Sequence, residues 1–309
     1  MNEKTEAGAS AADAVSILAG RYANKIRTAL ELVISSHEGR IPARLMESMV
    51  YSLAAGGKRL RPMLCLAAAE NGGVGADTAM PMALALEFMH TASLIHDDLP
   101  CMDDDDLRRG KPTNHKVFGE CLAVLAGDSL MIWAFGYALS GLLRSGVPED
   151  RAAHAVSVLS ESSGPEGMSG GQVLDTDPAS RESGRDFVYK IAEKKTAALI
   201  RASVVTGAII AGGREAEVRA YYDYGTHLGL GFQIVDDILD ATGTSEQLGK
   251  TPGKDAGQNK LTFVSAYGLD GARRLAEKES AAAADALSPL GSKAELLISL
   301  SEQLVHRSR

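Results

Sequence analysis

Apolar residues recur at three- and four-residue spacing along almost the whole chain, through Ala12–Ser35, Arg44–Ala54, Leu60–Glu70 and Ala76–Ile95. The pattern resumes at Glu120–Leu143, Arg151–Ser160, Arg185–Gly212, Glu215–Asp240, Leu261–Leu287 and Lys293–Val305. Such spacing puts the apolar side chains on one face of a 3.6-residue turn, so it predicts a helix over each range. No run alternates convincingly as a strand does, and no hairpin signal of the Asn-Gly type appears. The breaks are rich in glycine and proline: "NGGVG" at 71–75, "SSGPEGMSGGQ" at 162–172 and "TGTSEQLGKTPGKDAGQN" at 242–259. None reads as an interdomain linker, and no repeat of fixed period is visible. The expectation is one all-α domain over residues 1–309.

Composition supports helix. Apolar residues make up 45% of the 309 and aromatics only 5%, with alanine and leucine dominant. The net charge of −8 argues against nonspecific nucleic-acid binding. Three cysteines, Cys65, Cys101 and Cys121, leave one unpaired in any disulfide scheme, which points to a reducing cytoplasm. No basic n-region precedes an apolar core at the start. The best uncharged apolar run, "ASVVTGAIIAGG", is bounded by Arg201 and Arg214 and is too short to span a membrane, so no span is expected.

Charge is concentrated in one place. "LIHDDLPCMDDDDLRRG", 94–110, packs six aspartates into ten residues and follows them with Arg108 and Arg109. Two like charges about 4 Å apart repel by about 4 kcal/mol at an effective dielectric near 20, so an ordered cluster needs a cation. An apolar helix leads straight into it. Pro100 cannot continue that helix, so the chain bends near Asp98 and returns Asp103 toward Asp97. Asp97, Asp98 and Asp103 are therefore the candidate working carboxylates, with Asp104, Asp105 and Asp106 as solvated or capping residues. A second group, "GFQIVDDILD", places Asp236 and Asp240 one turn apart on one face of a largely buried helix. Carboxylates there are costly unless paired or metal-bound. Two acidic helices facing one cavity suit Mg²⁺, which takes one or two carboxylates plus phosphate oxygens. Zinc is disfavoured, because no His or Cys stands at ligand spacing; His90 and His96 are six apart. Four basic patches complete the picture: "GGKRLRP" at 56–62, "RRGKPTNH" at 108–115, "EKKT" at 193–196 and "LGKTPGKD" at 248–255. Arginine grips phosphate through paired bonds. Acidic patches beside basic ones suggest two anionic ligands, one bound through Mg²⁺ and one directly.

This constellation resembles the all-trans isoprenyl diphosphate synthases, which include farnesyl and geranylgeranyl diphosphate synthases. "DDLPCMD" and "DDILD" stand in the family's order, with "GGKRLRP" upstream and "FQ" just before the second. The resemblance covers roughly Tyr51 to Thr262. It implies a bundle of long, mostly antiparallel helices around a deep cavity, and a homodimer. By that resemblance Asp97 and Asp103 bind Mg²⁺ with Asp98 in support, and Asp236 binds a third ion with help from Asp240. Lys58, Arg61, His90 and Arg109 would hold isopentenyl diphosphate. Arg108, Lys195, Gln233 and Lys250 would hold the allylic diphosphate, with Thr196 and Lys260. Gln172, in "GGQ", matches a further recurrent polar position.

The implied reaction is Mg²⁺-dependent ionisation of the allylic diphosphate, attack by isopentenyl diphosphate head to tail, and loss of a proton. Product length is read at the helix before Asp97. Many bacterial farnesyl synthases of this type carry an aromatic residue five positions before the first aspartate; here that position is Ala92. Ala92 and Ser93 leave room for geranylgeranyl diphosphate, with farnesyl diphosphate as the alternative and with Met89 or Phe88 as a deeper floor. A class I terpene cyclase usually has a different second metal motif, a head-to-head synthase fits "DDILD" less well, and a regulatory subunit normally has degraded aspartate motifs.

Overall fold

The computed structural model describes residues 13–180, 182, 184–242 and 260–305. The long helices are α1 (Ala14–Ser36), α2 (Ala43–Leu53), α3 (Leu60–Asn71), α4 (Ala76–Asp97), α6 (Glu120–Arg144) and α7 (Glu149–Ser163). They continue with α10 (Ala198–Ile210), α11 (Glu215–Thr242), α13 (Leu269–Leu287) and α14 (Glu295–Leu304). Shorter helices are α5 (Asn114–Phe118), α8 (Met168–Thr176), α9 (Phe187–Ala192) and α12 (Phe263–Tyr267). The fold is all-α, as the periodicity implies.

Helices apolar on every side belong at the centre of a bundle. α4 and α10 are of that kind, buried from Ala79 to Met89 and from Ala202 to Ile210 without a break. α3 packs on both, α6 on α4, and α11 between α10 and α13. α4 and α6 run antiparallel. His96 meets the carbonyl of Val124 at 3.1 Å, Phe88 stacks on Trp133 at 5.1 Å, and Pro81 lies against Gly141. Asp13 caps α1, and Ala14 N donates to Gln303 Oε1 at 2.6 Å, tying α1 to α14. The core is continuous from Ala14 to Leu304.

Four features depart from the periodicity reading. The glycine-rich break at 162–172 contains the start of α8. The single helix expected over Arg185–Gly212 is interrupted by a π-helical turn, Glu193–Ala197. The helix expected over Leu261–Leu287 is split at Gly268 (φ 73°) into α12 and α13, with Thr262 and Ser265 forming a capping box. A hairpin exists after all: β1 (Leu107–Arg108) pairs antiparallel with β2 (Lys111–Pro112).

One helix bears on the expectation of no membrane span. α6 is long and apolar enough to cross a membrane by length and composition, with an 18-residue window of mean hydropathy 1.6. Asp128 interrupts its uncharged run. Only 33% of that window is buried, so α6 presents an apolar face outward.

Candidate active site

α4 ends where Pro100 forbids another turn, and the chain folds back over the helix end. Asp103 N donates to the carbonyl of Asp97 at 2.8 Å and Asp105 N to that of Asp98 at 3.2 Å. The reversal runs through Asp104 at φ 48°. Asp97 and Asp103 thereby reach one cavity, as the proline argument expects. Asp98, about 100° further round the helix, does not line that cavity. It is 3% exposed and clamps Arg108, whose Nε donates to Oδ1 and Oδ2 at 2.7 and 2.9 Å. Asp105 also faces Arg108, at 3.6 Å, and Asp106 pairs with Lys116 on the surface.

The hairpin turn is Arg109–Gly110, with φ 54° and 74°. Positive φ at both central residues is the type I′ pattern, which suits the twist of a two-residue hairpin. Arginine is strained there, and its side chain supplies the compensation. The Arg109 guanidinium donates to the carbonyl of Gly56 and lies on Gly57, where a Cβ would come within 2.5 Å of it. The glycines of "GGKRLRP" thus seat an arginine from the hairpin. The next residues diverge. Arg59 (φ 50°) turns inward to Glu87, which is 3% exposed, and to the carbonyl of Leu53. Lys58 is exposed, and Arg61 and His90 are half-buried nearby. Burial pushes Arg61 down to about 10, against the pull of Glu87 and Asp236. Burial, then Arg61, Arg109, Arg108 and Arg59, hold His90 well below the usual imidazole range. Burial also lowers Arg109.

α11 brings the second acidic group. Asp236 lines the same cavity as Asp97 and Asp103. Asp237 is a structural anchor: it accepts from Gln233 Nε2 at 2.8 Å and from Phe263 N at 2.7 Å, pinning the returning chain to α11. Gln233 Oε1 accepts from Thr196 Oγ1 at 2.6 Å, so a polar chain joins the π-helical turn, α11 and α12. Asp240 is 6% exposed and lies off the cavity. Lys260 Nζ donates to Asp103 Oδ1 at 2.9 Å, and Lys195 Nζ donates to Asp175 Oδ2. Sequence reading missed Asp175, Glu87 and the anchoring role of Asp237. The one signal available for Asp175 was its place one turn after Gly171 in "GGQVLD". Gln172 beside it has a buried Nε2 with no partner among the described residues.

The cavity holds about 390 Å³. Its wall carries Asp97, Asp103, Asp175 and Asp236 against Arg108, Arg109, Lys195 and Lys260, with Leu94, Val188, Ile191 and Ala192 as its apolar side. Burial pushes Asp97 up to about 6, opposed by Lys195 and reinforced by Asp103. Burial raises Asp98 too, against the Arg108 bond. Burial likewise works to raise Asp103, but the Lys260 hydrogen bond and charge prevail and hold it below the usual carboxylate range. Arg108 is raised, because its bonds to Asp98 outweigh the burial that would lower it. Among the described residues no three acidic, imidazole or thiol groups converge into a ready-made metal cage. Asp97, Asp103 and Asp236 nevertheless offer oxygen donors only, on one cavity. That donor set fits a hard cation that completes its shell with phosphate oxygens.

Ala92 and Phe88 are fully buried and Met89 is 2% exposed, and with Ser93 all four lie off the cavity wall. Ala92 is on the side of α4 that faces α6, between the His96–Val124 and Phe88–Trp133 contacts. Lys250 lies outside the described residues.

Residues 42–289 match the polyprenyl synthetase family. The chain is 46% identical over 294 residues to a heterodimeric geranylgeranyl pyrophosphate synthase large subunit of Arabidopsis thaliana, covering 93% of this chain and 79% of that one. It is 46% identical over 287 residues to a chloroplastic geranylgeranyl pyrophosphate synthase of Catharanthus roseus, covering 92% and 79%. A solved geranyltransferase of Legionella pneumophila superposes with a TM-score of 0.81 at 34% identity, over 95% of this chain and 98% of that one. With acidic motifs on facing helices, cations between them and this likeness over most of its length, the chain belongs to the polyprenyl synthetase family and is a prenyltransferase.

Proposed function

We propose that the protein condenses isopentenyl diphosphate with an allylic diphosphate, with Mg²⁺, to give geranylgeranyl diphosphate. The observation that carries this reading is the meeting of Asp97, Asp103 and Asp236 with Arg108, Lys195 and Lys260 on one cavity wall. Asp97, Asp103 and Asp236 would hold Mg²⁺, with Asp240 behind Asp236 and, on the family pattern, about three ions in all. Bound there, Mg²⁺ would supply Lewis-acid stabilisation of the charge on a leaving diphosphate.

Arg108, Lys195 and Lys260 take up the negative charge that develops as the allylic C–O bond breaks and its electrons leave with the diphosphate. Asp98 fixes the Arg108 guanidinium for that task. Thr196 spends its hydroxyl proton on Gln233, so it turns oxygen lone pairs rather than a proton toward the cation. The isopentenyl double bond then attacks the allylic carbon, and the adjacent proton passes to the released diphosphate. Lys58, Arg61, His90 and Arg109 hold the second diphosphate, and a neutral His90 serves as a hydrogen-bonding group rather than a charge. Leu94, Val188, Ile191 and Ala192 keep water from the cation.

The length assignment rests on the geranylgeranyl synthases among the relatives and on the family resemblance at Ala92, which stands against α6 beside the described cavity rather than on its wall. Product chromatography with farnesyl diphosphate as primer tests it. The wild type should add one unit, and Ala92→Tyr should stop at farnesyl diphosphate. A wild type that stops there, or a tyrosine variant that does not, refutes the steric argument.

The outward face of α6 supports a homodimer. Leu125, Ile132 and Leu139 are 49%, 74% and 37% exposed and seven residues apart, which makes one apolar stripe. The three free cysteines, two of them exposed, support a cytoplasmic location, which fractionation would test.

A further inference from the structure

Asp175 joins the cavity wall without belonging to either aspartate motif. It follows Gly171 by four residues, so both share one face of α8. That face rests on the π-helical turn Glu193–Ala197. A Cβ on Gly171 would fall 2.2 Å from the Lys195 backbone N and 2.7 Å from its Cα, so only a residue without a side chain lets α8 come this close. One turn further along, Asp175 receives the Lys195 ammonium. The carboxylate is 10% exposed and the lysine side chain 24%. The extra residue in a π-helical turn displaces side chains from the α-helical register, a distortion common at functional sites.

Lys195 stands between two acidic groups. Lys195 also acts electrostatically on Asp97 and Asp103, the pair that faces Asp236. An unrestrained ammonium there would turn to Asp97 and cover the oxygens needed for metal and phosphate. Lysine carries three N–H donors on a flexible stem, and a buried acceptor that takes one of them directs the other two.

We propose that Asp175 is a positioning residue that holds Lys195 away from Asp97 and aims its remaining N–H groups at the allylic diphosphate, with Gly171 providing the seat. Asp175 touches no reacting atom in this scheme. The inference rests on the prenyl-transfer reading, and its test separates the two.

The test is a double-mutant cycle of Asp175→Asn and Lys195→Ala, read by steady-state kinetics and by calorimetric binding of inorganic diphosphate with Mg²⁺. Loss of one charge-assisted hydrogen bond corresponds to roughly tenfold or more. Asp175→Asn should therefore raise the allylic KM about tenfold and leave the isopentenyl diphosphate KM unchanged. Asp175→Glu, which keeps the charge, should recover part of that loss. In the Lys195→Ala background Asp175→Asn should add nothing, in kinetics and in diphosphate binding alike. Equal rises in both KM values, or losses that multiply in the double variant, would overturn the proposal. A wild type without prenyl transfer would defeat the functional reading instead, and the diphosphate-binding cycle would still decide the Asp175–Lys195 coupling.

Discussion

Asp97→Asn should make the metal-free protein more stable while abolishing turnover. Burial lifts the Asp97 carboxyl from 3.8 to about 6 in the folded chain. At about 1.4 kcal/mol per pKa unit, charging it in the folded state costs about 3 kcal/mol. The folded pKa lies above the unfolded one, so the folded state holds the extra proton between them. Stability from this group is therefore fully present below about pH 4 and lost as pH rises through about 6. Asparagine keeps the size and removes the charge. Above pH 7 without metal, the variant should melt about 5 °C above the wild type, on the scaling for a chain of this length. Below pH 4 the two should coincide. Mg²⁺ with inorganic diphosphate should reverse the order, because a ligand that binds only the folded state stabilises by mass action and the variant lacks a carboxylate for it. Differential scanning fluorimetry from pH 3 to 8, with and without Mg²⁺ and diphosphate, measures all three. An asparagine variant that melts at or below the metal-free wild type at pH 8 refutes the reasoning.

Arg61→Ala should raise the isopentenyl diphosphate KM about tenfold and leave the allylic KM alone; the reverse split in steady-state kinetics would mean the two subsites are exchanged. Glu87→Gln removes one partner of a buried pair and should cost about 3 kcal/mol in denaturant unfolding, whereas exposed pairs such as Arg219–Asp223 should cost little on truncation. Ile132→Asp, on the outward stripe of α6, should shift sedimentation from dimer to monomer; an unchanged dimer would move the interface elsewhere.

Much of this site is legible in the sequence because it depends on local chemistry. A proline two residues after Asp98 dictates a bend, and a bend brings Asp103 back over Asp97. Asp236 and Asp240 on one helix face follow from a four-residue spacing, although only Asp236 reaches the cavity. Spacing could not say how Asp97 and Asp98 divide their tasks. They are neighbours in sequence but point in different directions, and the choice is made by Arg108 reaching back from the hairpin to Asp98. The hairpin itself escaped notice because Arg109 takes a backbone conformation ordinarily left to glycine or asparagine. A contact with Gly56, over fifty residues away, holds it there. The π-helical turn was hidden because one extra residue barely disturbs the apolar rhythm of a long helix. α8 was hidden because its glycines read as a loop, and its packing on that turn keeps it helical.

Arg108 and Arg109 are joined by a single peptide bond, yet one grips the acidic cluster of α4 and the other reaches the glycines before α3. Successive Cα atoms across a trans peptide lie about 3.8 Å apart, so covalent geometry sets the backbone spacing between the two proposed diphosphate anchors. A core substitution can loosen a helix by tenths of an ångström without altering that spacing. Inserting one residue between Arg108 and Arg109, which lengthens the turn, would change it outright. The hairpin is a gauge block between donor and acceptor, and a two-substrate enzyme built this way tolerates drift in its scaffold better than any change in the length of its shortest loop.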